Sequence, residues 1–267
     1  MPAATPPRLL SIAGSDSGGG AGIQADLKAF ARCGAHGMTA ITAITAQNTV
    51  EVRAVHPVSP EAILGQVRAV ADDIGVDAVK VGMLGSQETI AAVAEALDLV
   101  GDAPIVVDPV MVAESGATLL APEAVDALRG LILPRAAVVT PNLPEARVLS
   151  GLATDASAEE LARAVHALGP RAVVVTGGHA NEIADVFFDG GEPVAIPGER
   201  HPDGAAHGSG CTHSSALAAR LAFGDTPLDA AIAARAVAAA AVRDGLRGIG
   251  AGAGPVDVFG LAGTPAH

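Results

Sequence analysis

Aromatic residues and lysines are scarce in this chain. The sequence contains no tryptophan, no tyrosine and five phenylalanines, so it lacks the aromatic surface on which single-stranded nucleic acids stack their bases. Lysine occurs only at Lys28 and Lys80, and 16 Lys and Arg stand against 29 Asp and Glu. Because nucleic acids and anionic membranes are bound by clustered cations, we expect neither as a partner. Backbone N–H groups and Mg²⁺ can still hold a phosphorylated ligand.

Cysteines and long apolar runs are also few. Cys33 and Cys211 could form at most one disulfide, and neither lies in a C-x-x-C pair or in a Cys/His zinc spacing. The longest alanine-rich run, residues 236–242, is far shorter than the roughly 20 residues of a membrane-spanning helix. The first ten residues do not follow the pattern of a secretory signal. These absences predict a cytoplasmic protein.

No boundary between domains is visible in the 267 residues. A prior of roughly 150 residues per domain allows one large or two small domains. However, no Pro/Ser-rich linker or charged run divides the chain. We therefore predict a single domain over residues 1–267, with residues 1–7 as a flexible N-terminus.

Short apolar runs alternate with amphipathic stretches along the chain. Near-continuous apolar runs, typical of strands buried on both faces of a parallel sheet, occur at residues 9–13, 39–46, 78–81, 105–107, 137–140 and 172–176. Apolar spacings of three and four predict helices at residues 60–73, 88–100, 122–131 and 158–168. A hairpin at 184–188 and 193–196 and two alanine-rich helices at 208–223 and 227–244 follow. The pattern predicts an α/β fold in which a mostly parallel central sheet, with antiparallel edge strands, is flanked by helices on both faces.

Polar and glycine residues follow the predicted strands, at the edge where open α/β sheets bind ligands. Gly14 opens a glycine-rich loop before the first helix. Part of this loop fits a loose dinucleotide fingerprint, but the second strand ends in Gln47 and Asn48 rather than in the acidic residue that binds a ribose. A P-loop motif is also absent from the sequence. Asp26 and Gln47 could together recognise a small polar ring, or they could be an ordinary helix-surface acid and a turn residue.

A second glycine loop, residues 207–212, precedes the first alanine-rich helix. Gly208, Ser209 and Gly210 allow a ligand to approach the backbone, and the helix N-terminus offers unpaired N–H donors. Such a loop can stabilise charge on a transferring phosphoryl group, or it can be a turn capped by a hydroxyl side chain. Cys211 lies where a helix dipole lowers the pKa of a thiol, which makes it a candidate base or a ligand-facing group. The alternative is a small buried side chain.

Seven segments taken together resemble one family. The order and the sequences of these segments are similar to those of the hydroxymethylpyrimidine/phosphomethylpyrimidine kinases, of the ribokinase-like superfamily. The resemblance extends from about residue 8 to residue 256. The segments are AGSDSGGGAGIQADLK at 13–28, TAQN at 45–48, VGML at 81–84, VDPVM at 107–111, TPNLPEA at 140–146, GGH at 177–179 and HGSGCT at 207–212.

The resemblance implies a ribokinase-like fold and a reaction. With ATP and Mg²⁺, such an enzyme phosphorylates the pyrimidine alcohol and then its monophosphate, in thiamine biosynthesis. Related folds often dimerise, which makes a homodimer the expected assembly. By position, the resemblance assigns the pyrimidine pocket to Gly14, Asp26, Gln47, Met83, Val110 and Cys211.

The phosphoryl-transfer groups are implied in the same way. Asn142 and Glu145 match an N-x-x-E element near the Mg²⁺ and the ATP phosphates, and Asp108 and Glu145 are the expected metal ligands. The anion hole is matched by Gly208, Ser209 and Gly210, with Cys211 at the position of the aspartate base of sugar kinases. An ordinary thiol is mostly protonated at neutral pH, and a loose transition state demands little from a base. We therefore expect Cys211 to position the substrate, with weak base character.

Residue 176 departs from the family's pattern. The family often carries Lys-Gly-Gly-His here, whereas this chain has Thr176 before Gly177 and Gly178. We expect Thr176 and Gly178 to contact ATP. Another cation, or Mg²⁺ alone, then has to replace the missing lysine charge.

Two other functions compete with the pyrimidine kinase. A pyridoxal/pyridoxine kinase is the nearest, since some relatives with a cysteine in the anion-hole loop resemble both, although Asp26, Gln47 and Met83 favour the pyrimidine. The other is a catalytically silent pyrimidine-binding protein. The Asn142 and Glu145 pair argues against it, because binding alone does not require a Mg-phosphate site.

Overall fold

A nine-stranded sheet forms the centre of the protein, in the order β3-β2-β1-β4-β5-β6-β7-β8-β9. The computed structural model describes residues 5–177, 184–199, 201 and 204–263. Residues 1–4 of the predicted flexible N-terminus, and Gly178, lie outside these ranges. The strands are β1 (Arg8–Ser15), β2 (His36–Gln47), β3 (Val52–Pro57), β4 (Ala78–Val81), β5 (Ile105–Val107), β6 (Val138–Val139), β7 (Val173–Val175), β8 (Ala184–Phe188) and β9 (Val194–Pro197).

The pairing of the strands confirms the predicted mixture of parallel and antiparallel neighbours. β1 pairs in parallel with β2 and β4, and the parallel arrangement continues through β5, β6 and β7. β8 and β9 are antiparallel, as the hairpin predicts. Antiparallel β3, at the other edge, was not predicted. Most of its side chains are exposed, so it lacks the continuous apolar run by which the inner strands were recognised.

Eight α-helices are described, and several begin with recognisable caps. Ser59, Ser86 and Thr226 each accept a hydrogen bond from a backbone N–H in the first turn of the helix that follows, which satisfies a donor that the helix cannot pair. The helices are α1 (Gly22–Arg32), α2 (Pro60–Asp73), α3 (Gln87–Ala96), α4 (Val125–Ala127), α5 (Leu143–Ser150), α6 (Ala158–His166), α7 (Ser209–Ala222) and α8 (Pro227–Arg243).

Two segments differ from the predicted helices. The predicted helix at 122–131 is a chain of short turns: 3₁₀ at Pro122–Ala124, then α4, a π turn at Leu128–Ile132 and 3₁₀ at Leu133–Arg135. The eight-residue helix α5 was not predicted. No helix among the described residues is both long and apolar enough to cross a membrane.

Alternate residues of the central strands face two separate cores. Leu10 and Val107 pack with α2, α3, α5 and α6 on one face of the sheet. On the other face, Leu9 and Val106 pack with α1, α7 and α8. Both faces of the central strands are therefore covered, which explains why these strands are mostly apolar. The arrangement leaves the carboxyl ends of the parallel strands as the open edge where polar residues collect.

Candidate active site

A cavity of about 240 Å³ lies at the carboxyl ends of the parallel strands, where the N-terminus of α7 meets them. The predicted site residues come from segments spread over the sequence, and twelve of the fourteen lie in the wall of this cavity. The two others are Asp26, which is not in the wall, and Gly178, which lies outside the described residues. The twelve are Gly14, Gln47, Met83, Asp108, Val110, Asn142, Glu145, Thr176, Gly208, Ser209, Gly210 and Cys211.

Asp16 organises the glycine-rich loop after β1. Its carboxylate accepts hydrogen bonds from the backbone N–H groups of Gly18 (2.7 Å), Gly20 (3.0 Å) and Ala21 (2.8 Å). The His207 ring lies 3.0 Å from the same carboxylate. Burial raises the pKa of Asp16, but the hydrogen bonds from His207 and the backbone outweigh this effect and lower it. Asp16 and His207, neither of them a predicted site residue, therefore join the two glycine loops.

The two glycine loops touch so closely that side chains are excluded. Gly208 has φ +86°, and a Cβ on it would overlap the carbonyl oxygen of Gly20. A Cβ on Gly20 would in turn overlap the His207 ring. Glycine is required at 208 because L-residues rarely adopt this backbone conformation and because no space exists for a side chain.

The N-terminus of α7 is left without a side-chain cap. Gly208 is the N-cap residue, and no side chain in the described part of the protein accepts a hydrogen bond from the first turn, so the alternative of a hydroxyl-capped turn is wrong. The N–H group of Ser209 is paired with the carbonyl of Ala206 (3.0 Å). The N–H groups of Gly210 and Cys211 have no intrahelical acceptor because of their place in the first turn. They line the cavity and form a potential anion site.

The floor of the cavity contains a buried ion pair that was not predicted. Lys80 Nζ lies 2.9 Å from Asp26 Oδ1, and both side chains are fully buried. Ser11 and Ser215 also donate to the Asp26 carboxylate, at 2.6 and 2.8 Å. The oxygens of Asp26, which the resemblance assigns to the pyrimidine pocket, thus face Lys80 and two serines, behind the cavity wall. Lys80 was unusual in sequence as one of two lysines, but strand β4 gave no indication of its partner.

Burial reverses the expected effect on the Cys211 thiol. The helix dipole was expected to lower its pKa, whereas burial raises it. Lys80 lowers this pKa, but Asp26 and Asp108 raise it further, and the pKa is about 12. The thiol is thus protonated at neutral pH, so Cys211 in this environment is a poor base.

Asn142 and Glu145 form the capping box at the start of α5. Asn142 Oδ1 accepts from the Glu145 N–H (2.9 Å), and Glu145 Oε2 accepts from the Asn142 N–H (3.0 Å). Glu145 Oε1 also accepts from the Met111 N–H at 3.4 Å. The N-x-x-E element is therefore a helix start that also presents its side chains to the cavity. Thr176 lies beside Asn142, to which it is joined by an isolated β-bridge.

Two buried carboxyl groups of the cavity wall have raised pKa values, because their hydrogen bonds and ion pairs do not offset the cost of burying a charge. Burial raises the pKa of Glu145 to about 8, with a further contribution from Asp108. Burial also raises the pKa of Asp108, although Lys80 and the Ser214 hydroxyl oppose the shift. No group of three or more His, Cys, Asp or Glu residues suitable for a metal occurs in the described part of the chain. A carboxyl pair fits Mg²⁺, which binds one or two carboxylates together with phosphates and water.

The opposite end of the cavity is less charged. Met83 is held by the Thr42 hydroxyl, which donates to its backbone carbonyl (2.7 Å). A Cβ on Gly14 would overlap the Met83 methyl group, so Gly14 allows that side chain to lie against the wall. Gln47 Oε1 lies 3.3 Å from the Thr45 hydroxyl. This end can hold a flat ring with one amide available for polar contacts.

Comparisons with known proteins agree on one family. The family described as Phosphomethylpyrimidine kinase matches residues 16–257. A hydroxymethylpyrimidine/phosphomethylpyrimidine kinase from Rhizobium meliloti is 51% identical over 256 residues, which cover 94% of this chain and 96% of that protein.

Solved structures of two kinase types have the same fold. The pyridoxal kinase from Staphylococcus aureus in complex with AMP-PCP and pyridoxal aligns with TM-score 0.85 and 35% identity, covering 95% of this chain and 94% of that one. A phosphomethylpyrimidine kinase from Clostridium difficile aligns with TM-score 0.76 and 39% identity, covering 86% of this chain and 96% of that one.

Proposed function

Because the chain belongs to the phosphomethylpyrimidine kinase family, we propose that it transfers a phosphoryl group from ATP to 4-amino-5-hydroxymethyl-2-methylpyrimidine, and then to its monophosphate. These are steps of thiamine diphosphate biosynthesis. One observation supports the chemistry most directly. The uncapped first turn of α7 and the Asp108–Glu145 carboxyl pair line the same cavity, so that anion donors and cation ligands face each other across a small space.

The pyrimidine is proposed to bind at the less charged end of the cavity. Gly14, Met83 and Val110 would contact the faces and edges of the ring, and the Gln47 amide would pair with its polar atoms. A buried amide left unpaired by the wrong ring is costly, and this cost would make Gln47 a source of specificity. In this proposal Asp26 supports the site only from behind, through Lys80.

The phosphoryl groups are proposed to bind between α7 and α5. The N–H groups of Gly210 and Cys211 would donate to the oxygens of the transferred group, where positive potential stabilises the charge of the transition state. Asn142 and Thr176 would contact the ATP phosphates from the other side, together with Gly178. The Cys211 thiol, protonated at neutral pH, would orient the substrate rather than accept its proton.

Asp108 and Glu145 are proposed to hold Mg²⁺ when ATP binds. Bound Mg²⁺ supplies charge neutralisation between the phosphate oxygens. The raised pKa of Glu145 means that a proton is retained on this carboxyl near neutral pH in the free enzyme. Binding of a divalent cation has to displace that proton, since metal ligands bind in their deprotonated form.

ATP consumption tests this function. Purified protein is incubated with ATP and Mg²⁺ and with the pyrimidine alcohol, its monophosphate or pyridoxal, and ADP release is followed by a coupled assay. We expect turnover with both pyrimidines. The absence of turnover with every substrate would leave a binding protein, and turnover with pyridoxal alone would exclude the pyrimidine assignment. A parallel reaction with Cys211→Ala checks that any turnover comes from this site.

The pyridoxal kinase is kept as the second candidate because of one observation. The structure aligns with a pyridoxal-bound kinase at TM-score 0.85, above the 0.76 of the phosphomethylpyrimidine kinase. Sequence identity favours the pyrimidine, with 51% to the Rhizobium meliloti relative. Similar backbones can hold both rings, so we expect pyridoxal to be at most a slower substrate.

A homodimer is proposed as the assembly. The β2–β3 edge carries three exposed apolar side chains, Ile44, Val50 and Val55, and an edge strand offers unpaired backbone groups to a second copy. Light scattering should give twice the 26.2 kDa mass of one chain. A mass of one chain would exclude the dimer, and Ile44→Lys should weaken it.

A further inference from the structure

Lys80 is an unusual residue for the middle of a buried strand. It lies in β4, between apolar residues that are buried on both sides. Its side chain is fully buried, although a buried charge is costly unless it is paired. Among the described residues it is the one Lys or Arg in the cavity wall, whereas Asp16, Asp108, Glu114 and Glu145 all lie there.

The ammonium group is paired on one side. Asp26 Oδ1, at 2.9 Å, is the single acceptor within hydrogen-bond distance of Lys80 Nζ in the described ranges, while an ammonium carries three N–H donors. Asp108 Oδ2 lies farther away, at 3.9 Å from Lys80 Nζ. Asp26 is itself held by Ser11 and Ser215. These contacts hold the cation from behind, between the core and the reacting end of the cavity.

The residues around Lys80 leave space for its ammonium group beside Asp108. A Cβ on Gly82 would lie 2.8 Å from Lys80 Nζ and 2.9 Å from the Cβ of Ala13, so a glycine at 82 prevents the ammonium from being displaced. On the far side, Asp108 Oδ2 accepts from the Ser214 hydroxyl (3.1 Å), and a Cβ on Gly210 would lie 3.8 Å from the same oxygen. Asp108 therefore links Lys80 to the α7 anion site.

We propose that Lys80 is a positioning residue for phosphoryl transfer, whose buried charge acts through Asp108 and Cys211 and supplies the cation missing at Thr176. The inference rests on the proposed kinase function. Asp26 anchors the charge, and Asp108 and Cys211 line the same cavity wall as Lys80. A fixed cation in a site that excludes water acts more strongly on a developing negative charge than one in solvent. It also requires no reorganisation during the reaction.

A charge-removing double variant separates this role from a structural one. Lys80→Met alone leaves the Asp26 carboxylate buried and unpaired, which destabilises the protein whatever its role in the reaction. Lys80→Met combined with Asp26→Asn removes both charges. The asparagine oxygen still accepts from one of the two serine hydroxyls, and its NH2 group can donate to the other. We expect the double variant to recover thermal stability but to keep kcat about 100-fold below wild type. The KM values for ATP and for the pyrimidine should stay within about threefold of wild type.

Two controls accompany this test. Arg8→Met with Asp77→Asn removes another ion pair, at the opposite end of β1 (2.6 Å), and should leave kcat unchanged. Lys80→Arg keeps the charge and should recover at least tenfold in kcat over Lys80→Met, as expected for an electrostatic effect. A double variant with wild-type stability and kcat within threefold of wild type would overturn the proposal.

A measurement on the wild-type protein covers the case in which the variants do not fold. The chain has two lysines, Lys28 and Lys80, so a lysine-labelled sample gives two side-chain NMR signals. AMP-PCP, Mg²⁺ and the pyrimidine alcohol should shift the Lys80 signal more than that of Lys28. An unshifted Lys80 signal in a saturated complex would overturn the proposal. Failure of the proposed function is seen separately, as wild-type protein that binds without releasing ADP.

Discussion

The stability of the free protein should depend on pH through Glu145. Burial and the nearby Asp108 raise the pKa of this carboxyl from 4.5 to about 8. Between these values the folded state holds a proton that the unfolded state has released. Stability therefore falls as pH rises through this window, by up to about 1.4 kcal/mol per pH unit. Over the full shift the loss approaches roughly 5 kcal/mol.

The variant Glu145→Gln removes this titration and keeps the capping hydrogen bond, although it loses the longer contact with the Met111 N–H (3.4 Å). A glutamine at the same position of a capping box still accepts from the N-cap N–H, here that of Asn142. The free energy of unfolding of the variant should match that of wild type near pH 4.5. At pH 8 and above, the variant should be more stable than wild type by several kcal/mol. The difference is measured as the free energy of unfolding in urea at intervals from pH 5 to 9, in EDTA and without nucleotide.

A second capping box provides a matched control. Glu160 occupies the same position in α6, where its carboxylate accepts from the Ser157 N–H (2.8 Å), but it is exposed and its pKa is lowered by this hydrogen bond and by that of the Ser157 hydroxyl. Its stabilising effect is present above the unfolded pKa and is lost as pH falls, the opposite sign to Glu145. Glu160→Gln should therefore not be more stable than wild type at high pH. A stability difference for Glu145→Gln that is flat from pH 5 to 9 would refute the reasoning.

Three further substitutions test the two ends of the cavity. Gly208→Ala should reduce kcat at least 100-fold, since its Cβ would overlap the Gly20 carbonyl; steady-state kinetics with wild-type rates would contradict the anion site. Cys211→Ala should lower kcat strongly, and unchanged turnover and affinity would remove Cys211 from the site. In wild type, the rate of Cys211 alkylation should still be rising above pH 10, because its pKa is about 12; a plateau below pH 9 is the contrary result. Gln47→Ala should raise the KM for the pyrimidine about tenfold or more and leave the KM for ATP unchanged, as measured with each substrate varied in turn. Equal changes in both KM values would argue against a specificity role for Gln47.

Periodicity predicted the inner strands and most long helices because burial leaves a direct pattern in the sequence. β1 and β4 to β7 are covered on both faces, so most residues in them are apolar. The same reasoning could not find β3, whose side chains are mostly exposed. It also missed α5, a short helix that starts just after Pro141 and has Pro144 in its first turn, because eight residues give too few turns for a periodic signal.

Which residues would share one cavity wall could largely be predicted, but their charge states could not. Parallel strands end at the same edge of a sheet, so residues after each strand meet whatever their separation in sequence. Resemblance to a family then selected twelve residues of one cavity wall. The sequence could not show which way Asp26 faces, because a helix residue near a loop can face either the ligand or the core. The structure gives it a partner 54 residues away, Lys80.

The layers of the fold and the segments that line the cavity could be predicted from the sequence, since both follow from local composition and from the order of the strands. Tertiary structure alone decided the chemistry of individual groups. The pKa of Cys211 depends on burial and on Lys80, Asp26 and Asp108, which are distant in sequence. Coulomb interactions and desolvation depend on distances in space. The helix dipole beside Cys211 could be read from the sequence, but the larger effect of burial could not.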